Sequence, residues 1–212
     1  MIDFYSKLRY DFSDLLALVK ILRAPDGCPW DRVQTHESIR RNFIEEVYEA
    51  CDAIDRNDLD NLREELGDVL LHVVFHADIE SDAGHFDIND VCDAVVRKMI
   101  SRHPALFGGG EALDWDEIKR REKGRQTLPD EMDSVARSLP ALWRAEKILK
   151  KAEKAGVSAE AMLNGDNSGN PVGFQLLSAV YTAQQCGIDP EAALHLACDI
   201  CIDRLRGTAA DK

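Results

Sequence analysis

Two segments with helical periodicity each carry a pair of acidic residues beside their apolar residues. The segments are residues 43–54 and 62–74, and the four acids are Glu46, Glu49, Glu65 and Asp68. Residues three positions apart on a helix are separated by about 60° around its axis, so the two acids of each pair face one way. The sequence therefore predicts two helices, joined by a short turn, with four carboxylates pointing inward.

Apolar residues define the expected buried face of each of these helices. The buried face of the first helix is expected to hold Ile39, Phe43, Val47, Ala50 and Ile54. That of the second is expected to hold Leu62, Leu66, Val69, Leu70 and Val73. Glu46 falls inside the first set, and Glu65 and Asp68 lie along the border of the second. The acids are thus expected beside the core and not on the far side of each helix.

Acids in such positions would repel one another and lose hydration unless a cation lies between them. Ligand sets made only of oxygen atoms suit Mg²⁺ or Mn²⁺ and not zinc. An acidic protein often exposes Glu-rich helical faces to solvent, and a single ExxE pair would favour that interpretation. Two pairs beside apolar residues favour a divalent metal site on Glu46, Glu49, Glu65 and Asp68 instead.

Composition excludes several classes of protein. With 212 residues, 45% hydrophobic and 31% charged, the chain is expected to be globular, in one domain or two small ones. We find no apolar run of membrane-spanning length and no signal-peptide pattern in the first residues, so we expect a cytoplasmic protein with no membrane partner. Its six cysteines are then expected to stay reduced. A net charge of −13 argues against binding to duplex nucleic acid but permits a phosphate ligand held through metal ions.

The periodicity is helical along almost the whole chain, and the predicted fold class is all-α. The first helix is expected over residues 3–23, and a turn with Pro25, Gly27 and Pro29 follows. Thr35 is the expected N-cap of the first acidic helix, and Asn57 and Asp58 mark its end. Further along, we expect helices over 88–102 and 114–125, a linker over 126–140, and helices over 141–206 interrupted by a loop at 164–171.

Three separated motifs then identify a family. CPWDRVQTHESIRRNFIEEVYEACDAI, EELGDVLLHVVFHA and FDINDVCDAVVRKMISRHPALF occur in this order and resemble the MazG nucleoside triphosphate pyrophosphohydrolases. The likeness covers roughly residues 8–150, and residues 1–125 are the expected MazG-like domain. It implies an all-α helical bundle that works as a homodimer or higher oligomer. It also implies Mg²⁺-dependent (Mn²⁺ possible) cleavage of a nucleoside triphosphate into a monophosphate and pyrophosphate, as house-cleaning of the nucleotide pool.

The resemblance also suggests how the substrate is held. It implies that Lys98, Arg102 and Lys119 contact the phosphates, although each alone could equally belong to a solvated helix face. Trp30 and Trp115 are aromatic side chains able to stack on a base, although a tryptophan in a loop is as often a packing anchor. Glu45 is the spare acid nearest the metal motif, so it is a candidate to take the proton from the attacking water.

The last third of the chain departs from the family pattern. Residues 141–212 resemble a second copy of the domain in which Gly173 corresponds to Gly67. Phe174 and Pro171 stand where the aspartate and glutamate would be, and the counterpart of Lys98 is Ile200. We therefore expect a degenerate helical copy without metal ligands, serving for packing or dimerisation.

Other features are weaker. His72 and His76 follow Asp68 along the same side of the helix, and we interpret them as structural residues or as neighbours of the metal ligands. Cys198 and Cys201 form a lone CxxC that we interpret as buried, reduced thiols. Gly67 in mid-helix suggests close helix packing beside the metal site.

Two other classes of function are compatible with part of the pattern. One is a non-catalytic nucleotide-binding or regulatory protein that uses the same acids and metal. The other is a di-iron carboxylate bundle, which normally needs ExxH on two helices. No Glu in this chain is followed three residues later by His, which argues against the di-iron class.

Overall fold

The computed structural model describes residue 4 and residues 6–108, 127–165 and 168–210, and every regular element in these ranges is a helix. The predicted all-α fold class is confirmed. The chain divides into two compact units, Met1–Ala112 and Leu113–Lys212. The predicted helix 114–125 lies outside the described residues. None of the described helices is both long enough and apolar enough to cross a membrane.

In its described residues the first unit contains five α-helices and one short 3₁₀ helix. They are α1 (Phe12–Arg23), the 3₁₀ helix (Asp31–Val33), α2 (His36–Asp55), α3 (Leu59–Ala83), α4 (Ile88–Arg102) and α5 (Pro104–Phe107). The most extensive packing in this unit is between α2 and α3, and α1 packs against α3. These two contacts position the acid pairs.

The predicted start of the first helix is wrong, because α1 begins at Phe12 and not at residue 3. Asp11 is its N-cap. Its carboxylate accepts hydrogen bonds from the backbone N–H groups of Ser13 and Asp14, and the Asp14 carboxylate accepts one from the N–H of Asp11. This capping box satisfies N–H groups that have no partner inside the helix, and it therefore fixes the helix start.

Local sequence accounts for the hairpin of α2 and α3. Thr35 caps α2 through the N–H of Ser38, as predicted. Asn57 adopts a left-handed conformation with φ of 54°, which asparagine tolerates better than most residues, so the chain turns there. Asp58 then caps α3 by accepting a hydrogen bond from Asn61. The predicted break at Asn57 and Asp58 is confirmed.

The core of the first unit lies between α1, the first half of α2 and the middle of α3. Its buried residues are Val19, Ile39, Val74 and Phe75, and Leu15, Leu16, Leu71, Ile79 and Ile88 pack on them. Arg23 joins α1 to α3, because its Nε donates to Asp78 and its Nη2 donates to Asp82, each at 2.7 Å. The core therefore lies nearer the free end of the hairpin than its turn.

The predicted buried faces are only partly correct. Ile39 and Ala50 are buried and Phe43 is half-buried, as expected, whereas the side chains of Val47, Ile54, Leu66 and Leu70 are 40% to 59% exposed. The reason on α3 is that this helix packs against α1, α2 and α4, so that Val74 and Phe75, which lie outside the predicted face, are buried together with Ala77.

The second unit is a smaller helical cluster. The helices that the structure describes there are α6 (Leu128–Asp133), α7 (Ala141–Lys154), α8 (Ala159–Leu163), α9 (Pro171–Gln185) and α10 (Pro190–Ala210). Its core is formed by Leu149, Ala159 and Val180. The helical region has two more breaks than predicted, at Gly156 and Gly187, which adopt φ values of 79° and 68°. Glycine adopts this conformation without steric cost.

Two further expectations for this region need correction. The predicted linker 126–140 contains α6, whose start is capped by Thr127 through the N–H of Asp130. Cys198 and Cys201 are free thiols, as expected, but they are exposed and not buried. The proposed domain boundaries, 1–125, 126–140 and 141–212, stay predictions.

Candidate active site

Three of the four predicted metal ligands converge across the hairpin. Glu46 and Glu49 of α2 and Glu65 of α3 each offer one carboxylate oxygen, and these oxygens lie within 4.8 Å of one another. Glu65 is 9% exposed, Glu46 is half-buried and Glu49 is exposed. The i, i+3 spacing on α2 turns two acids towards the same neighbour, and the packing of α3 supplies the third.

Asp68 lies one turn after Glu65 on α3 and is half-buried. It is not a member of the three-acid group defined by that 4.8 Å separation. Its negative charge nevertheless raises the pKa of both Glu46 and Glu65. Asp68 therefore borders the cluster, and its assignment as a fourth ligand stays a prediction.

Electrostatics make this cluster costly without a cation. Burial is the largest cause of the raised pKa of Glu46, followed by the charges of Asp68 and Glu49. Burial also comes first in raising the pKa of Glu65, followed by the charge of Glu49. Within the described part of the chain, no Lys or Arg side chain forms an ion pair with these acids. The residues fit a hard divalent cation, because every donor is a carboxylate oxygen.

The remaining predicted site residues are distributed along the first unit. Glu45 is exposed on α2, and its charge is the weakest of those that raise the pKa of Glu46. Lys98 is exposed on α4, and Arg102 is half-buried at the end of that helix. Trp30 precedes the 3₁₀ helix and is 59% exposed. These roles stay predictions, and those of Trp115 and Lys119 lie outside the described residues.

The packing role suggested for Gly67 is not found. Gly67 is exposed on α3, and a Cβ atom added there would meet no heavy atom within 4 Å. Among the described residues, no neighbouring helix therefore packs closely against Gly67.

A cluster of histidines lies towards the free end of the same hairpin. The Nδ1 atoms of His36 and His76 are 2.7 Å apart. The Glu80 carboxylate bridges His36 Nε2 and His85 Nδ1, each at 2.6 Å. The sequence indicated only His72 and His76. The proximity of His36 to His76 depends on the register of α2 on α3, which the sequence alone does not give. Glu80 follows His76 by one helical turn on the same helix, and this spacing was the available signal for it.

Comparison with a family model supports the assignment made from the motifs. The model described as MazG nucleotide pyrophosphohydrolase domain matches residues 34–107. This range contains all of α2, α3 and α4, and with them the acid cluster and Lys98.

Curated relatives match beyond this range. The chain is 43% identical over 150 residues to a nucleoside triphosphate pyrophosphohydrolase of Escherichia coli K12, covering 67% of this chain and 57% of that protein. It is 44% identical over 150 residues to an uncharacterised Bacillus subtilis protein, YabN, covering 68% of this chain but 30% of that protein. These relatives are therefore considerably longer than the region they share with this chain.

A third relative matches both units. The chain is 36% identical over 215 residues to the nucleoside triphosphate pyrophosphohydrolase/pyrophosphatase MazG of Thermotoga maritima, covering 92% of this chain and 84% of that protein. An alignment of this extent and identity, together with the matched domain over the acid cluster, confirms the predicted resemblance. The chain belongs to the MazG family.

Proposed function

We propose that this protein hydrolyses nucleoside triphosphates to nucleoside monophosphate and pyrophosphate. The observation that carries the proposal is the convergence of Glu46, Glu49 and Glu65 between two helices of the matched domain. The names of the Escherichia coli and Thermotoga maritima relatives give the same activity for those proteins. The raised pKa values of Glu46 and Glu65 support a site built to hold a cation.

The acid cluster would hold Mg²⁺, with Mn²⁺ as the alternative of similar chemistry. Glu46, Glu49 and Glu65 would be ligands, and Asp68 would complete the set from the next turn of α3. A cation bound there would neutralise charge on the phosphate oxygens and would lower the pKa of a bound water. Without it, four carboxylates would repel the triphosphate.

The other predicted site residues would bind the substrate and accept the proton. Lys98, Arg102 and Lys119 would bind phosphate oxygens, and Trp30 and Trp115 would contact the base. In the reaction, the water oxygen forms a bond to the α-phosphorus, and the bond from that phosphorus to the bridging oxygen breaks. Pyrophosphate leaves, and Glu45 would accept the proton of the water.

This activity fits house-cleaning of the nucleotide pool in the cytoplasm. All six cysteines are free, which suits a reducing compartment.

Product analysis tests the reaction. Incubation of the full chain with Mg²⁺ and a panel of canonical and damaged triphosphates should release pyrophosphate and the monophosphate, as read by chromatography. Mn²⁺ should support the reaction, and excess EDTA should stop it. Release of orthophosphate and a diphosphate, or full activity in EDTA, would contradict the proposal. Binding without any product would favour the non-catalytic alternative.

We also propose that the protein is a homodimer or higher homo-oligomer. In the first unit, α2, α3 and α4 expose many large apolar side chains, which a stable monomer rarely leaves in water. They include Ile44, Val47, Tyr48, Leu66, Leu70, Val91, Val95, Val96, Met99 and Ile100. In the second unit, α10 likewise exposes Leu194, Leu196, Ile200, Ile202 and Leu205. This exposure supports a packing or dimerisation role for the degenerate copy.

Sedimentation tests the oligomeric state. We expect a mass of at least twice 23.7 kDa at micromolar concentration. Val95→Asp should lower that mass, because it introduces a charge among the exposed apolar residues of α4. Arg97→Asp changes a neighbouring exposed residue that pairs only within α4, with Asp93, and it serves as a control. A monomeric wild type would contradict the proposal.

A further inference from the structure

His36 and His76 form a close pair of nearly coplanar imidazole rings that meet edge to edge through their Nδ1 atoms. Their centroids are 4.9 Å apart with an interplanar angle of 13°, and their Nδ1 atoms approach to 2.7 Å. His36 is the first residue of α2, and His76 lies in the last third of α3. The pair therefore joins the start of one acid-bearing helix to the other helix.

A hydrogen bond between the two Nδ1 atoms constrains the number of protons on the pair. One Nδ1 must carry a proton and the other must accept it. With one ring neutral and the other protonated, or with both rings neutral, this requirement can be met. With both rings protonated, two N–H groups and two positive charges would face each other across 2.7 Å. The contact therefore tolerates one positive charge and not two.

Glu80 fixes the orientation of His36 in this pair. Its carboxylate accepts a hydrogen bond from His36 Nε2 and a second from His85 Nδ1. These two hydrogen bonds are the largest causes of the lowered pKa of Glu80. Because Nε2 of His36 is engaged as a donor, only Nδ1 is left to meet His76.

The surroundings of His76 disfavour a second charge. Burial is the main cause of its lowered pKa, and the charges of His36 and His72 act in the same direction. Phe43 packs edge-on against the His76 ring, with centroids 5.6 Å apart. On α1, which packs against α3, the charged group Arg23 is already bound to Asp78 and Asp82. The other charged groups near the pair are Glu37 and Arg40 on α2, His72 and Glu80 on α3, and His85 after α3.

The geometry of the histidine cluster does not favour a metal site. Among the described residues, the group that brings three or more ligand atoms within 4.8 Å is the acid cluster, and it contains no histidine. The two ring nitrogens of His36 instead face two different partners.

We propose that His36, His76 and Glu80 form a pH-dependent contact that holds the first turn of α2 on α3 and opens when both rings are protonated. This device goes beyond the proposed hydrolysis. Opening would also free the segment before α2, because Ser38 Oγ donates to Gln34 and Gln34 donates to the carbonyl of Trp30. The same hydrogen bonds would carry the change to the loop that bears Trp30.

The sign of the pH effect follows from the direction of each shift. A histidine whose pKa is lower in the folded state contributes stability that is fully present above its unfolded pKa, about 6.5, and is lost as pH falls below that value. The lowered pKa of Glu80 contributes stability above its unfolded value, and this is lost only at still lower pH. Acidification from pH 7.5 to 5.5 should therefore open the contact through protonation of His76 before Glu80 is protonated.

Hydrogen exchange of the full chain, corrected for the intrinsic pH dependence of exchange, tests the proposal. In the wild type, the hydrogen-bonded backbone amides of residues 38–40 should lose protection between pH 7.5 and 5.5, while those in the middle of α3 keep theirs. Long-range imidazole spectra should show one shared proton on the pair at the higher pH and two separately protonated rings at the lower one.

Two variants and a control make the test specific. His76→Phe keeps an aromatic ring beside His36 but cannot take a proton, so the pH-dependent loss of protection should disappear. If His76→Phe does not fold, His76→Asn serves the same purpose with a smaller side chain. His195→Phe, an exposed histidine of α10, should behave as wild type. Retained protection at pH 5.5 with both rings charged, or the same pH-dependent loss of protection in a folded His76 variant, would overturn the proposal.

Discussion

Glu49→Gln and, separately, Asp68→Asn are expected to lower pyrophosphate release at saturating Mg²⁺ by more than about 100-fold, since even indirect partners of metal ligands typically contribute 10–100-fold to activity or affinity. Glu49 belongs to the three-acid cluster, and Asp68 borders it. Each substitution keeps the shape of the side chain and removes one negative charge. Initial rates at several Mg²⁺ concentrations measure the effect.

The second unit supplies a matched control for this experiment. Asp166→Asn makes the same chemical change as Asp68→Asn, but within the loop 164–170, where we predict no ligands. Its activity should stay close to wild type. If Asp166→Asn abolished turnover while the oligomeric state was unchanged, the interpretation of residues 141–212 as a degenerate copy would be wrong. If Glu49→Gln and Asp68→Asn retained full activity, the metal assignment would be wrong.

The convergence of the acids could be predicted because it depends on local rules. Helical periodicity places Glu46 and Glu49 on one side of α2, and the turn at Asn57 and Asp58 returns the chain so that α3 lies alongside. Cap and turn residues act over three or four positions, which is the range that a sequence pattern describes directly. The predicted N-cap at Thr35 succeeded for the same reason.

Features that depend on tertiary packing could not be predicted in the same way. Periodicity assigned one buried face to α3, whereas the helix packs on both α1 and α2, so Leu66 and Leu70 are exposed in the single chain. The start of α1 was missed because an apolar pattern says nothing about the competing cap at Asp11. The contact of His36 with His76 needs the register between two helices, which no local pattern fixes.

Metal-free Glu65→Gln protein should melt at a higher temperature than the metal-free wild type, although its activity is lost. Glu65 is 9% exposed and its pKa is raised, first by burial and then by the charge of Glu49. Keeping it ionised in the folded state therefore costs free energy that the amide does not cost. Functional sites commonly hold strain of this kind, which a bound ligand relieves.

The pH dependence of this difference has a definite sign. A carboxyl group with a raised folded pKa contributes stability that is fully present below its unfolded pKa and is lost as pH rises through the folded pKa. The advantage of Glu65→Gln over wild type should therefore be larger at pH 7.5 than at pH 5. Thermal melts in EDTA at the two pH values measure it.

Mg²⁺ should reverse the order of stability. A ligand that binds only the folded state at 100 times its Kd adds about 2.7 kcal/mol, which corresponds to several degrees in Tm for a chain of this size. The wild type should gain this stabilisation, and Glu65→Gln should gain less because it lacks one ligand. Glu64→Gln removes the same charge from the neighbouring exposed position and should respond to Mg²⁺ as wild type does. Two results together would contradict the metal assignment: a lower Tm of Glu65→Gln than of wild type in EDTA, and a wild-type Tm that does not change with Mg²⁺. These acids would then be structural partners, and the cluster would hold no metal.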